Sequence, residues 1–383
     1  MIKLGIDEFL KKNQGIGRFA LLANYASVNS HFEYTWHLLL KKKKKDFVKI
    51  FSPQHGLWGT EQANMIETCD TVDKDLNLQI ISLYGNDRKP SREALIDIDT
   101  VLIDLQDVGS KYYTYIYTMS LVMTAAAENK KKVIVLDRPN PLGGKKVYGN
   151  LTKLKSFVGL HPLPIEHGLT IGELALLFKN EFSINCDLEV IKMKNYDRTI
   201  TSLDAKYPWV MLSPNMPHPQ TAFVYPGGCL LEGTNVSEGR GTTRPFEFIG
   251  APFISSKALL KELSHEALTG VKFREITFKP TFDKFKNEPC NGIFLHVTNY
   301  SKFNAYLTYI AIIKAIFKLK PASFKWLSPP YEYEYKELPI DILTGDKKIR
   351  EMIERGETLK HIDQYCKDSL KPFLKTRKKF LLY

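Results

Sequence analysis

The run Phe47-Val48-Lys49-Ile50-Phe51-Ser52-Pro53-Gln54-His55-Gly56 decides the fold class. Phe47 to Phe51 is β-rich and mostly apolar, and Pro53 and Gly56 stop it. The exit loop then carries an amide at Gln54, an imidazole at His55 and an indole at Trp58. In open α/β sheets, ligands bind at the carboxyl ends of the strands. Gln54 and His55 are therefore site candidates by position alone.

Three similar runs flank this one: Phe19 to Asn24, Val101 to Leu105 and Val133 to Asp137. Each is nearly continuous in hydrophobicity, as in strands covered on both faces. Helical patterns separate them, at His31 to Leu40 and Tyr115 to Asn129. This alternation predicts a mostly parallel sheet with helices on both faces. Each run also ends in polar groups. They are Asn24, then Gln54 and His55, then Asp104, Gln106 and Asp107, then Asp137, Arg138 and Asn140. Four such ends along one rim of a sheet predict a binding cleft.

Further along, Thr170 with Glu173 three residues on reads as a capping box that opens a helix. Residues 205–250 are rich in Pro, Gly, Asn and Thr, and so much irregular backbone points to function. Within it, Glu232 to Thr243 carries Glu232, Glu238 and Arg240 among glycines, which allow backbone to approach a ligand closely. The remainder alternates helical pieces (Lys257 to Glu266, Tyr306 to Phe317) with short strands such as Ile293 to Val297, as in a smaller α+β domain.

The net charge of +12 includes the five lysines Lys41 to Lys45, a solvated helix end. No aromatic interleaving or binding motif accompanies them, so no nucleic-acid partner is expected. No window approaches the ~20 apolar residues of a membrane helix, and no membrane partner is expected either. Five widely spaced cysteines read as reduced thiols, and the start of the chain lacks a signal-like apolar core. Together these lead to an expectation of a soluble, cytoplasmic protein. Gly15-Ile16-Gly17-Arg18-Phe19-Ala20 matches a dinucleotide fingerprint, but it precedes its strand and cannot set a helix N-terminus on a pyrophosphate. Nine histidines show no metal-ligand spacing. No cofactor and no metal are expected. What remains around the cleft is carboxylates, amides and aromatics, which suit a polyhydroxylated, sugar-like ligand.

These blocks together resemble one family, the NamZ-like exo-β-N-acetylmuramidases of peptidoglycan turnover. The resemblance rests on Ser52 to Gly56, Ile103 to Gly109 with Tyr112 to Tyr115, Leu136 to Gly144, His167 to Leu174, Ser213 to Pro217, Tyr225 to Gly227 and Glu232 to Glu247. It implies a Rossmann-like domain, set at residues 1–236, a smaller domain at 237–383, and an active cleft between them. It also implies removal of terminal N-acetylmuramic acid, or a related N-acetylhexosamine, from the non-reducing end of a glycan, with a small muramyl saccharide as the partner. The expected catalytic set is Glu238 as acid with Asp107, Glu232, Gln54 and His55. The expected substrate contacts are Asn24, Asp104, Arg138, Asn140, His167, Asn215, Asn235 and Arg240. One departure stands out: the family's catalytic glutamate is replaced by Gln54, which can neither give nor take a proton. The competing expectation is accordingly a protein that binds muropeptides without cutting them.

Overall fold

The computed structural model describes residues 2–12, 15–62, 65–85, 88–204 and 206–383. In chain order the strands are β1 (Phe19–Ala23), β2 (Phe47–Ser52), β3 (Thr71–Asp73), β4 (Leu78–Ser82), β5 (Thr100–Asp104), β6 (Lys132–Leu136), β7 (Tyr148–Leu151), β8 (Pro164–Glu166), β9 (Asp187–Ile191), β10 (Phe248–Ala251), β11 (Val271–Phe278) and β12 (Cys290–Val297). Seven of them form one sheet in the order β3-β4-β2-β1-β5-β6-β9. All its pairings are parallel except that of β3 with β4.

Both faces of this sheet are covered, and the strand residues show why. Ala20, Leu22, Val101, Ile103, Val133 and Val135 join one apolar cluster. Their neighbours Phe19, Leu21, Ala23, Leu102, Ile134 and Leu136 join a second one. Successive side chains of a strand point to opposite faces, so apolar residues at both phases require packing on both sides. The helix Tyr115–Glu128 covers the first face and Thr35–Lys43 the second. The predicted Thr170–Glu173 capping box opens the helix Ile171–Glu181.

The second half is a smaller antiparallel sheet, β10-β12-β11, with the helix Ser256–Leu263 against it and the helix Ala305–Leu319 packed on that helix in turn. The fold is the α/β class expected, with a separate α+β part. Three strands of the seven-stranded sheet escaped the pattern of apolar runs. Strands β3 and β4 are short and partly exposed, and β9 interleaves Asp187 and Glu189 with apolar residues at the sheet edge. Inside the stretch read as irregular lies a helix, Pro219–Gly228. Pro219 sits in its first turn, where a missing N–H costs nothing. Gly227 and Gly228 let it press close to its neighbours: an added Cβ would meet the Ala305 carbonyl at 2.3 Å and Phe246 at 2.7 Å. The chain end closes back on the first sheet, where the Tyr383 hydroxyl donates to Asp137 Oδ2 at 2.7 Å.

Candidate active site

At the end of β2 the chain turns within three residues. His55 and Gly56 both take positive φ, 71° and 75°, and the Gly56 N–H donates to the Pro53 carbonyl. A non-glycine residue in that region is strained and held by its surroundings. The turn points Gln54 and His55 into a cleft between the two halves of the chain, about 530 Å³ with its open mouth included. Thr114, Asn215, Glu232, Arg240, Tyr331 and Glu332 line it with them, and tyrosines 112, 113, 115 and 225 supply aromatic wall.

Gln54 is fixed by its partners. Its Oε1 accepts from the Thr114 hydroxyl at 2.6 Å, and its Nε2 donates to the Tyr84 oxygen at 3.0 Å. Nε2 also lies 3.4 Å from Glu332 Oε1, where it donates. The Tyr84 hydroxyl lies 3.1 Å from Glu332 Oε2. Glu332 sits in a tight turn with φ of 48°, followed by Tyr333 at 64°, closed by Tyr331 and Glu334 exchanging backbone hydrogen bonds. Arg88 clamps this turn. Its guanidinium stacks 3.7 Å from the Phe157 ring centre and 4.6 Å from that of Tyr333.

Burial pushes the Glu332 carboxyl up to about 7, and the nearby Glu232 charge adds to this; Tyr84, Arg88 and Gln54 oppose it. A carboxyl so placed is still about half protonated at pH 7. Glu232, from the turn Cys229–Gly233, has different company. Its Oε2 accepts from the Tyr331 hydroxyl at 2.8 Å, and Arg240 Nη2 lies 3.6 Å from Oε1. Glu232 and Glu332 thus share one cavity but have contrasting partners. His55 Nδ1 lies 2.6 Å from the Glu61 carbonyl and donates to it, which leaves Nε2 as an acceptor. Burial, with Arg240 nearby, drops its pKa to about 4, so the ring is neutral at physiological pH.

Glu238 is corrected by this geometry. It is absent from the cavity lining and is only 1 % exposed. Its Oε1 accepts from Arg240 Nε at 2.6 Å and its Oε2 from Lys284 Nζ at 2.8 Å. Burial pushes its pKa up, but the two cations overcome this and hold it at about 2. A carboxylate in that state is a poor proton donor. The glycines around it serve the chain itself: a Cβ on Gly239 would meet the Phe248 carbonyl at 2.6 Å, and one on Gly241 the Phe282 backbone at 2.8 Å. They allow loop to lie on loop, in place of the ligand approach expected.

The polar strand ends do converge, but largely on one another. Arg138 pairs with Asp104 through two contacts at 2.5 and 2.8 Å, and both are buried. Asn24 Nδ2 donates to the Gln106 carbonyl at 3.0 Å. Asn140 Nδ2 donates to the Leu169 carbonyl and its Oδ1 accepts from Leu142 N–H. His167 Nε2 donates to Asp107 Oδ2 at 3.1 Å, because its Nδ1 already accepts from Leu169 N–H. Asn235 is turned away and braces Ser323 and Lys325. Asn24, Asp104, Asp107, Arg138, Asn140, His167 and Asn235 therefore lie outside the cavity lining, as a polar framework. Gln54, His55, Asn215, Glu232 and Arg240 are the predicted residues that line it. Sequence reasoning missed Glu332. Its signal was the alternation Tyr331-Glu332-Tyr333-Glu334-Tyr335 after Pro329-Pro330, an aromatic–acidic run suited to a sugar. Among the described residues no group of three or more His, Cys, Asp or Glu gathers to hold a metal.

A mostly parallel α/β sheet, an appended α+β unit and a carboxyl-lined cavity between them define a two-part α/β protein with its candidate site at the junction. Family models place the chain more narrowly. The N-terminal domain of the exo-β-N-acetylmuramidase NamZ matches residues 19–220, and its C-terminal domain matches residues 223–383. The chain belongs to this NamZ family. It is 43% identical over 387 residues to the peptidoglycan β-N-acetylmuramidase NamZ of Bacillus subtilis, covering 100% of this chain and 91% of that one. Two solved DUF1343-family proteins of Bacteroides fragilis share the architecture. One superposes with a TM-score of 0.88 at 32% identity, the other with 0.79 at 29%, each over 100% of this chain and 99% of its own.

Proposed function

We propose that this protein is a glycoside hydrolase that removes terminal N-acetylmuramic acid from the non-reducing end of peptidoglycan fragments. Family membership supports the reaction class. The observation that carries the mechanism is Glu332, a carboxyl that burial keeps about half protonated at neutral pH, in the same cavity as Glu232. Glu332 gives its proton to the glycosidic oxygen as the bond to the anomeric carbon breaks. Gln54 and Tyr84 hold it in place. Glu232 meets the positive charge that develops at the anomeric carbon, directly or through the substrate's 2-acetamido group; water then adds to that carbon and its proton returns to the Glu332 carboxylate. His55 Nε2 accepts a hydrogen bond from the sugar, and Arg240 is the cation of the wall that faces a lactyl carboxylate.

Gln54 favours a second reading, a receptor that retains fragments uncut. The proton in the first reading comes from residue 332 and does not need an acid at residue 54. Mass spectrometry of a β-linked N-acetylmuramyl–N-acetylglucosamine disaccharide incubated with the protein separates the two. Free monosaccharides support the hydrolase, whereas intact disaccharide with measurable affinity supports the receptor.

A further inference from the structure

A second cavity, of about 350 Å³, lies on the other side of the helix Pro219–Gly228. Phe223 of that helix lines it, while Tyr225 lines the first cavity. Its walls are aromatic, built from Phe223, Tyr300 and Phe303, and Phe223 and Tyr300 meet edge to face at 4.8 Å. Glu166 is set into this lining by strand β8 and is only 8 % exposed. Among the described residues, no hydrogen bond or ion pair within 4 Å is made to its carboxyl.

The groups around Glu166 leave that carboxyl to a ligand. Lys146 acts on it from a distance, but Lys146 Nζ donates to the carbonyls of Tyr300 and Ser301 at 3.1 and 2.5 Å. Arg198, in the same lining, is consumed by Glu173 and by the carbonyls of Gly144, Gly168 and Tyr383. Tyr148 approaches from β7 and Tyr112 from the loop after β5, and burial holds both phenols neutral. Lys145 stands exposed at the rim. A buried carboxyl without a partner costs free energy unless it is neutral or meets a cation. A wall of aromatic rings beside it favours an ammonium group with an apolar body.

We propose that this cavity binds a small amphipathic amine of the apolar α-amino-acid class. Its ammonium pairs with Glu166, its side chain packs among Phe223, Tyr300 and Phe303, and its carboxylate faces Lys145. The site stands apart from the reaction proposed above and does not depend on it.

Burial raises the empty Glu166 carboxyl to about 8. At pH 7 it is mostly protonated, so pairing with an ammonium must release nearly one proton. Calorimetry of the intact protein with phenylalanine, phenethylamine and 3-phenylpropionate, in buffers of different ionisation enthalpy, reads this directly. Phenylalanine is expected to bind at about 1 mM or tighter, with proton release. Phenethylamine is expected to bind with proton release but to be insensitive to Lys145→Ala, which weakens phenylalanine. Glu166→Gln should weaken both by roughly 10-fold or more and abolish the release. The proposal is overturned if 3-phenylpropionate binds as well as phenethylamine, or if neither amine binds. It is also overturned if the wild-type protein binds without releasing a proton, a readout that stands even should Glu166→Gln fail to fold.

Discussion

Replacing Glu332 by glutamine removes a proton while preserving shape. Gln54 Nε2 at 3.4 Å and the Tyr84 hydroxyl at 3.3 Å both reach the Oε1 position, where the single amide oxygen can accept from them. What disappears is the group that protonates the leaving oxygen. Loss of a proton-transfer group lowers a rate by about 10²–10⁴-fold, or roughly 3–5 kcal/mol of barrier. The same substitution should stabilise the fold. Glu332 ionises near 7 here against an ordinary 4.5. Charging it in the folded protein therefore costs on the order of 3 kcal/mol at and above pH 7, a cost glutamine does not carry. The assay compares two substrates. A muramyl-glucosamine disaccharide has a poor leaving group and should show the full loss of kcat. A nitrophenyl β-N-acetylmuramide leaves without help from an acid and should lose far less. A melting curve at pH 8 should shift upward. Equal losses on both substrates, or a lower melting temperature with neither rate changed, would refute Glu332 as the acid.

Glu238→Gln should act on the fold before the chemistry. It leaves Arg240 and Lys284 without their shared buried carboxylate, a loss of about 3–5 kcal/mol in denaturant titration; an unchanged midpoint with abolished turnover would return the acid role to Glu238. Gln54→Glu places a second carboxyl 3.4 Å from Glu332, and two such groups cannot both ionise readily. The alkaline limb of the kcat–pH profile should move up by about one unit or more, and an unmoved limb would separate residue 54 from the acid. Stability should fall as pH rises from about 5 to 8. Burial raises Glu166 to about 8 and Glu332 and Asp137 to about 7. In that window the unfolded chain has already released these protons while the folded protein retains them, so each rise in pH favours unfolding. Denaturant midpoints at successive pH values test the sign, and a rising midpoint would contradict it.

Residues near one another in the chain were the most legible. Strands β1, β2, β5 and β6 could be read because burial on both faces leaves an unbroken apolar run. The helix at Ile171 could be read because its cap and capping partner are three residues apart. The edge strands β3 and β9, and β4 beside the first of them, could not, since half-exposed strands tolerate polar residues. The helix Pro219–Gly228 was hidden by its own prolines and glycines. Its glycines are selected by the Ala305 and Phe246 contacts, which no local pattern reports.

By itself the amino-acid order determined the layered α/β class, the rim of polar strand ends, and Gln54, His55 and Glu232 as groups near a sugar-sized cleft. Only the tertiary structure decided which carboxyl holds a proton. Glu238 and Glu332 are chemically identical as residues. Folding sets one between Arg240 and Lys284 and seals the other behind Tyr84 and Gln54. A carboxyl's proton affinity is fixed by the charges and the solvent around it, and those around Glu332 come from segments more than 200 residues away.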